Sequence, residues 1–150
     1  MAANYMEAYQ KNLMRVLSDT NLIKIVSDIL VLNTANVVTD VKNRLEYGQS
    51  VNGGIIARYR NPIYAEMKQA LNPKAGGTVD MILTGSTVEN LTLRKISEGI
   101  YQIFSTDEKY ATLAKKYGSQ EFGITDEQRF QLYEDIIILA ELEILRQTWA

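Results

Sequence analysis

Histidine and cysteine are both absent from this chain, and the two absences remove a large part of enzyme chemistry. Without cysteine there is no disulfide, no zinc–thiolate site and no thiol nucleophile. Without histidine the commonest general base at neutral pH and the commonest transition-metal ligand are missing. A Ser-His-Asp or Cys-His arrangement within the chain is therefore impossible. Carboxylates, lysine, tyrosine and hydroxyls remain. No residue set among them points to a metal or a cofactor, and none is expected. Charge of one sign is also scarce. With 16 basic and 18 acidic residues the net charge is −2, which disfavours a dedicated nucleic-acid binder.

Long hydrophobic runs are lacking as well. The longest, Ile136-Ile137-Ile138-Leu139-Ala140, is far short of the roughly 20 residues that span a bilayer, so no membrane partner is expected. The start, MAANYMEAYQKNLMRVL, is interrupted by Glu7, Lys11 and Arg15 and has no uninterrupted hydrophobic region of signal-peptide length. Synthesis and folding in a cytosol are the expectation. What is present is 46% hydrophobic and 23% charged residues over 150 positions, the composition of a globular protein with one ordinary core. A single domain of 1–150 is expected, in four stretches: a helical region 1–47, an arm or loop region 48–78, a sheet with a short helix 79–125, and a terminal helix 126–150.

Periodicity fills in these stretches. Tyr5, Met6, Tyr9, Leu13, Val16 and Leu17 predict an amphipathic helix. After the capping residues Ser18-Asp19-Thr20-Asn21, apolar positions from Leu22 to Leu45 recur every three or four residues and predict one long helix stopping at Gly48. The β-branched cluster Val37-Val38-Thr39 is its weak point. Both prolines, Pro62 and Pro73, lie in the turn-rich region that follows. PIYAEMKQAL suits a short helix with Pro62 in first position. Val79, Met81 and Leu83 alternate with Asp80, Ile82 and Thr84 as in a half-buried strand. Leu91–Leu93 and Ile96–Phe104 add further strands, with Glu98-Gly99 as a hairpin turn. A sheet of about three strands results. Thr106 or Asp107 caps a helix that Gly118 stops. Thr125 and Gln128 form a capping box for the last helix. The fold class is α+β: long N- and C-terminal helices packed on a small antiparallel sheet, with a short helix after the hairpin.

Several stretches invite a chemical reading. LTGSTVEN has one glycine and no lysine, so it is no phosphate loop. Ser86 lacks the second glycine of a nucleophile elbow. Gly85 reads as a corner between two strands, and Gly99 and Gly118 as structural turns. Asp126, Glu127, Glu134, Asp135, Glu141 and Glu143 lie on the last helix. The first two suit its N-terminal dipole and the rest a solvated face, so no catalytic residue is assigned. Arg58-Tyr59-Arg60 forms a small basic-aromatic cluster, better suited to ion pairs at a protein interface than to nucleic acid. The last helix is apolar around most of its circumference. Leu132, Ile136, Leu139, Leu142 and Trp149 form a stripe that Ile137, Ile138, Ile144 and Leu145 widen. Such a helix is either deeply buried or shared with another subunit. Arg58, Tyr59, Arg60, Ile137, Ile144 and Trp149 are accordingly the candidate contact residues.

Three segments, DMILTGSTVENLTL (80–93), YQIFSTDEKYATLAKKYG (101–118) and EFGIT (121–125), resemble small structural proteins of tailed bacteriophages. The class is that of tail-completion and head–tail joining proteins, also described as virion morphogenesis or minor tail proteins. The resemblance spans roughly residues 60–125 and leaves out 1–47. It implies a non-enzymatic virion component at the head–tail junction or tail, forming a ring with copies of itself. Its further partners would be portal, neck or tail proteins, with no small-molecule substrate, and assembly would occur in the host cytoplasm. The rivals are a carboxylate-dependent cell-wall hydrolase and a cellular helical adaptor module.

Overall fold

In a computed structural model, residues 2–81, 86–97 and 100–149 are described. The chain is α+β. Helices α1 (Ala2–Val16), α2 (Asp19–Leu32), α3 (Thr34–Glu46), α4 (Pro62–Leu71) and α5 (Ser86–Glu89) precede a hairpin of β1 (Leu91–Ser97) and β2 (Ile100–Ser105). Helices α6 (Tyr110–Tyr117) and α7 (Asp126–Trp149) follow it. Two compact units are formed, one by Met1–Asn33 with Phe130–Ala150 and the other by Thr34–Arg129.

The first unit is all helix. Its core is small: Ile25 and Ile29 of α2 meet Ile136 of α7, flanked by Leu30, Leu132, Ala140 and Ile144. Polar side chains close its ends. Asn12 donates to the carbonyl of Thr148 at 3.0 Å, satisfying a terminal acceptor of α7 that has no partner within its own helix. Asn21 donates to the Val16 carbonyl at 2.8 Å and to Gln147 Oε1 at 3.0 Å. The long helix expected from Leu22 to Leu45 is broken at Asn33. There the backbone leaves the helical region (φ −90°, ψ 2°) and the Asn33 side chain donates to the Ile29 carbonyl at 2.8 Å. Asparagine offers the backbone such local alternatives to the helical ladder, so the break falls on it and not on Val37-Val38-Thr39.

The second unit holds a conventional core. Val38, Val41 and Leu45 on one face of α3 pack with Val79, Met81, Val88, Leu91 and Phe122, each side chain contributing about 1.5–3 kcal/mol by its burial. Tyr110 of α6 meets Phe122 edge-on, with ring centroids 4.8 Å apart. Among the described residues the sheet has two strands, not three, and Ile82, Leu83 and Thr84 of the third expected strand lie outside them. Antiparallel β1 and β2 run from Leu91↔Ser105 to Ser97↔Ile100, with an irregularity between Lys95 and Ser97. Residues 79–81 form no strand because the alternation has no open face: Val79, Asp80 and Met81 are all buried. Met81 also takes a positive φ of 56°, which ends the extended run. Ser86 opens the helical turn α5, which leads into β1 where only a corner was expected. The corner at Gly85 and the hairpin turn at Gly99 lie outside the described residues.

The start expected at Thr106 or Asp107 fails, since α6 begins at Tyr110 after Lys109 with no side-chain cap, but other local stop and start signals hold. Asn61 caps α4, accepting from the Ile63 and Tyr64 amides, with Pro62 in the first turn. Thr125 and Gln128 bond reciprocally at 2.8 and 3.1 Å. Gly118 ends α6 at φ 101°, and a Cβ there would collide with the Gln120 side chain. Gly48 follows α3 at φ 65°, where a Cβ would collide with Thr78 Oγ1 and lie 3.0 Å from the Val79 carbonyl oxygen. Gly53 has a positive φ too, but open space around it. Gly48→Ala is therefore expected to destabilise the protein by more than the roughly 1–3 kcal/mol of left-handed strain alone, and Gly53→Ala by no more than that strain. Urea denaturation of the two variants measures the difference.

Candidate interaction surface

Among the described residues two ion pairs are buried in the second unit, and both hold loops in place. Lys68 of α4 lies 3.0 Å from Asp80, with side chains only 3% and 1% exposed. Asp80 also accepts from Asn72 Nδ2 at 2.9 Å, and the Tyr59 hydroxyl lies 3.5 Å from it. Burial, then the Asp80 charge, raises the Tyr59 phenol well above its ordinary pKa. The second pair is Arg44 of α3 with Glu121, 3.8 Å apart. Arg44 donates to the carbonyls of Gln49 (2.8 Å), Glu121 (2.5 Å) and Gly123 (2.9 Å). The Glu121 carboxylate accepts from Ser50 Oγ at 2.9 Å and the Val51 amide at 3.0 Å. The stretch read as an arm or loop is thus anchored at its base.

Arg58, Tyr59 and Arg60 do not form one patch. Arg58 and Arg60 are exposed, while Tyr59 turns inward to stack edge-on against Tyr64 at 4.9 Å and to pack on the main core. A backbone bridge between Arg58 and Thr78 fixes this alternation. Ser86, the serine of the glycine-containing turn, donates to Asp107, as does Thr87 at 2.9 Å. Asp107 further accepts from the Lys109 amide at 2.9 Å. Its carboxyl is held below its ordinary value, chiefly by the Ser86 hydroxyl and then by the Lys109 amide. These hydroxyls latch α5 to the turn before α6.

The surface that stands apart is that of the first unit. Met6, Tyr9, Met14 and Leu17 of the α1 region are exposed, as are Ile23, Val26, Val31 and Leu32 of α2. So are Phe130, Tyr133, Ile137, Ile138, Leu139, Leu142, Leu145 and Trp149 of α7. Single exposed apolar residues are ordinary, but contiguous apolar helix faces mark association sites. Helix α7 is not deeply buried. Only Ile136 and Thr148 along it are fully buried, and the expected stripe is divided: Leu132 and Ile136 face inward, Leu139, Leu142 and Trp149 outward. Of the three contact residues proposed there, Ile137 and Trp149 are on the outside. Trp149 lies against Tyr9 at 5.6 Å. Ile144 packs inward beside Ile136.

Sequence reasoning missed the exposed apolar positions of α2 and the row Ile63, Met67 and Leu71 on α4. Their spacing of four was legible as a helix face, but not as an outward one. No group of three or more acidic side chains able to hold a metal ion occurs among the described residues. No single helix among them is long and apolar enough to cross a membrane. In comparison with known proteins, no family model, no curated protein and no solved structure matches the chain.

Two predictions test the polar framework. Lys68→Met leaves the Asp80 carboxylate buried without its cation and is expected to cost about 3–5 kcal/mol, whereas Lys68→Met combined with Asp80→Leu recovers most of that loss. Denaturant midpoints of the single and double variants decide it. For Asp107, whose folded pKa is depressed, the stabilisation is present above its ordinary value of 3.8. It is lost as pH falls below that value through the folded pKa. The melting temperature of the wild type should therefore exceed that of Asp107→Asn at pH 6, with the gap closing on acidification below 3.8. A gap that persisted unchanged in strong acid would contradict the latch.

Proposed function

We propose that this protein is a non-enzymatic assembly subunit, a structural component of a tailed-bacteriophage particle that joins or completes the head–tail region as part of a ring. The observation that carries the reading is the apolar exterior of the first unit. Among the described residues, sixteen of the 23 exposed large hydrophobic side chains lie in it, around a core too small to account for them. A surface of that composition is stabilised by a protein partner that removes it from water, at about 25 cal/mol per Å² of apolar area. The resemblance of residues 80–93, 101–118 and 121–125 to tail-completion and joining proteins supports the choice of particle. A ring needs two different complementary patches on each subunit. The helices of the first unit supply one in this reading, and the exposed Arg58 and Arg60 the other.

Quantitative mass spectrometry of purified particles tests the proposal. The expected result is this chain at a low, fixed ratio to the main shell protein. Absence from intact particles would overturn it. Arg60→Glu is expected to leave circular dichroism unchanged and to abolish incorporation; normal incorporation would remove the 58–60 loop from the contact.

A further inference from the structure

We propose that α7 pairs in parallel with the α7 of a second copy of this chain through Ile138, Leu142, Leu145 and Trp149. The inference deepens the assembly reading and rests on it: this pairing uses one patch twice and makes dimers, which the remaining exposed faces of each subunit would then join into the ring. These four residues follow one another at steps of four, three and four, the alternation of the two core positions of a heptad. All four are between 55% and 77% exposed. At about 100° per residue they lie about 170° around the helix from Leu132, Ile136, Ala140 and Ile144, which pack on the unit's own core. One side of α7 thus completes the protomer while the opposite side carries a second seam, touched within the protomer at its end, where Trp149 lies against Tyr9.

The area is sufficient. With Leu139 beside the seam, and at roughly 180 Å² for a whole large apolar residue, each copy offers on the order of 500 Å². Two copies reach the ~1,000 Å² that separates specific interfaces from incidental ones. A seam this short would not hold two free peptides together. Here the helix is already formed in the protomer. The Thr125–Gln128 box fixes its start, and Asn12 binds the Thr148 carbonyl at its end.

Charge selects the orientation. In the register that puts the four apolar residues at the seam, Glu141 and Arg146 occupy the flanking positions. They are five residues apart, the separation at which parallel helices bring opposite charges together. Glu141 of each copy then faces Arg146 of the other. An antiparallel pair would set Glu141 against Glu141 and Arg146 against Arg146. Arg146 already bonds Glu143 on its own helix at 2.7 and 2.8 Å, but a guanidinium has five donors and can serve both carboxylates.

The absence of cysteine makes the test clean. Ile138→Cys and Trp149→Cys, at the two ends of the seam, and Asn52→Cys, an exposed control in the other unit, are each oxidised under native conditions. The expected result is that both seam variants link to themselves about tenfold or more faster than the control, since paired positions share a millimolar-scale effective concentration. Linking only in an equimolar mixture of the two variants would mean antiparallel pairing and overturn the proposal. Linking no faster than the control, with the wild type sedimenting as a monomer, would overturn it as well. Leu142→Lys, at a side chain outside the core, is expected to give a monomer of unchanged helicity. The particle reading is tested separately: a chain found in particles yet monomeric alone sinks the pairing and leaves that reading standing.

Discussion

Arg44 is the side chain on which the second unit depends. It leaves α3 on the buried side and binds carbonyls from two stretches far apart in sequence, Gln49 just after its own helix and Glu121 and Gly123 near the start of α7. The Glu121 carboxylate answers by holding Ser50 and Val51. Burial pulls the Arg44 pKa down, and the Glu121 charge opposes the shift. A buried pair of this kind adds little net stability, because desolvation of both ions offsets most of their attraction. What it fixes is arrangement. Two backbone segments, 49–51 and 121–123, are thereby given hydrogen-bond partners that only one geometry supplies, and Phe122, fully buried, is seated next to Glu121 as a consequence.

The Lys68–Asp80 pair repeats the device one layer away. Asp80 sits between Val79 and Met81, both buried, so a strand with one wet face cannot form there. Lys68 from α4, Asn72 from the end of α4 and Tyr59 from the loop before it converge on that carboxylate. The turn-rich region 48–78 is therefore ordered from within, by charges placed inside the fold. That leaves Arg58 and Arg60, on the alternate side of the same stretch, presented on a rigid base and not on a swinging arm. A contact made by these arginines would lose little conformational entropy on forming.

Much of this organisation was legible in the sequence wherever the determinant is local. Pro62 after Asn61, the Thr125–Gln128 box and Gly118 each act within one helical turn, and each marks its element correctly. The pairing of β1 with β2 follows from two short alternating runs close together in the chain. The failures share a cause. The break at Asn33 and the non-strand at 79–81 are set by competing hydrogen bonds and by tertiary burial, which overrides the period-two pattern. Neither ion pair could be read, since Arg44 and Glu121 are 77 positions apart and nothing in the composition singles them out. On α7 the excess of apolar residues was plain, but its periodicity was not divided correctly. Leu142 and Trp149 were grouped with Leu132 and Ile136, whereas the structure puts them on opposite sides.

The two units invert the usual distribution of polarity in different ways. The second carries charges in its interior, and the first carries hydrocarbon on its exterior. Both arrangements sacrifice stability of the isolated chain, so each needs a reason outside the protomer's own folding free energy. Buried charges bonded to specific carbonyls and amides exclude alternative packings, which matters most where a fixed surface must be presented to a neighbour. Exposed apolar helices become favourable only when a neighbour arrives, and association then adds its free energy to that of folding. Under the assembly proposal, an internally anchored unit would stand beside a unit completed by contact. The interior of the one and the exterior of the other are, in this reading, adapted to the same event.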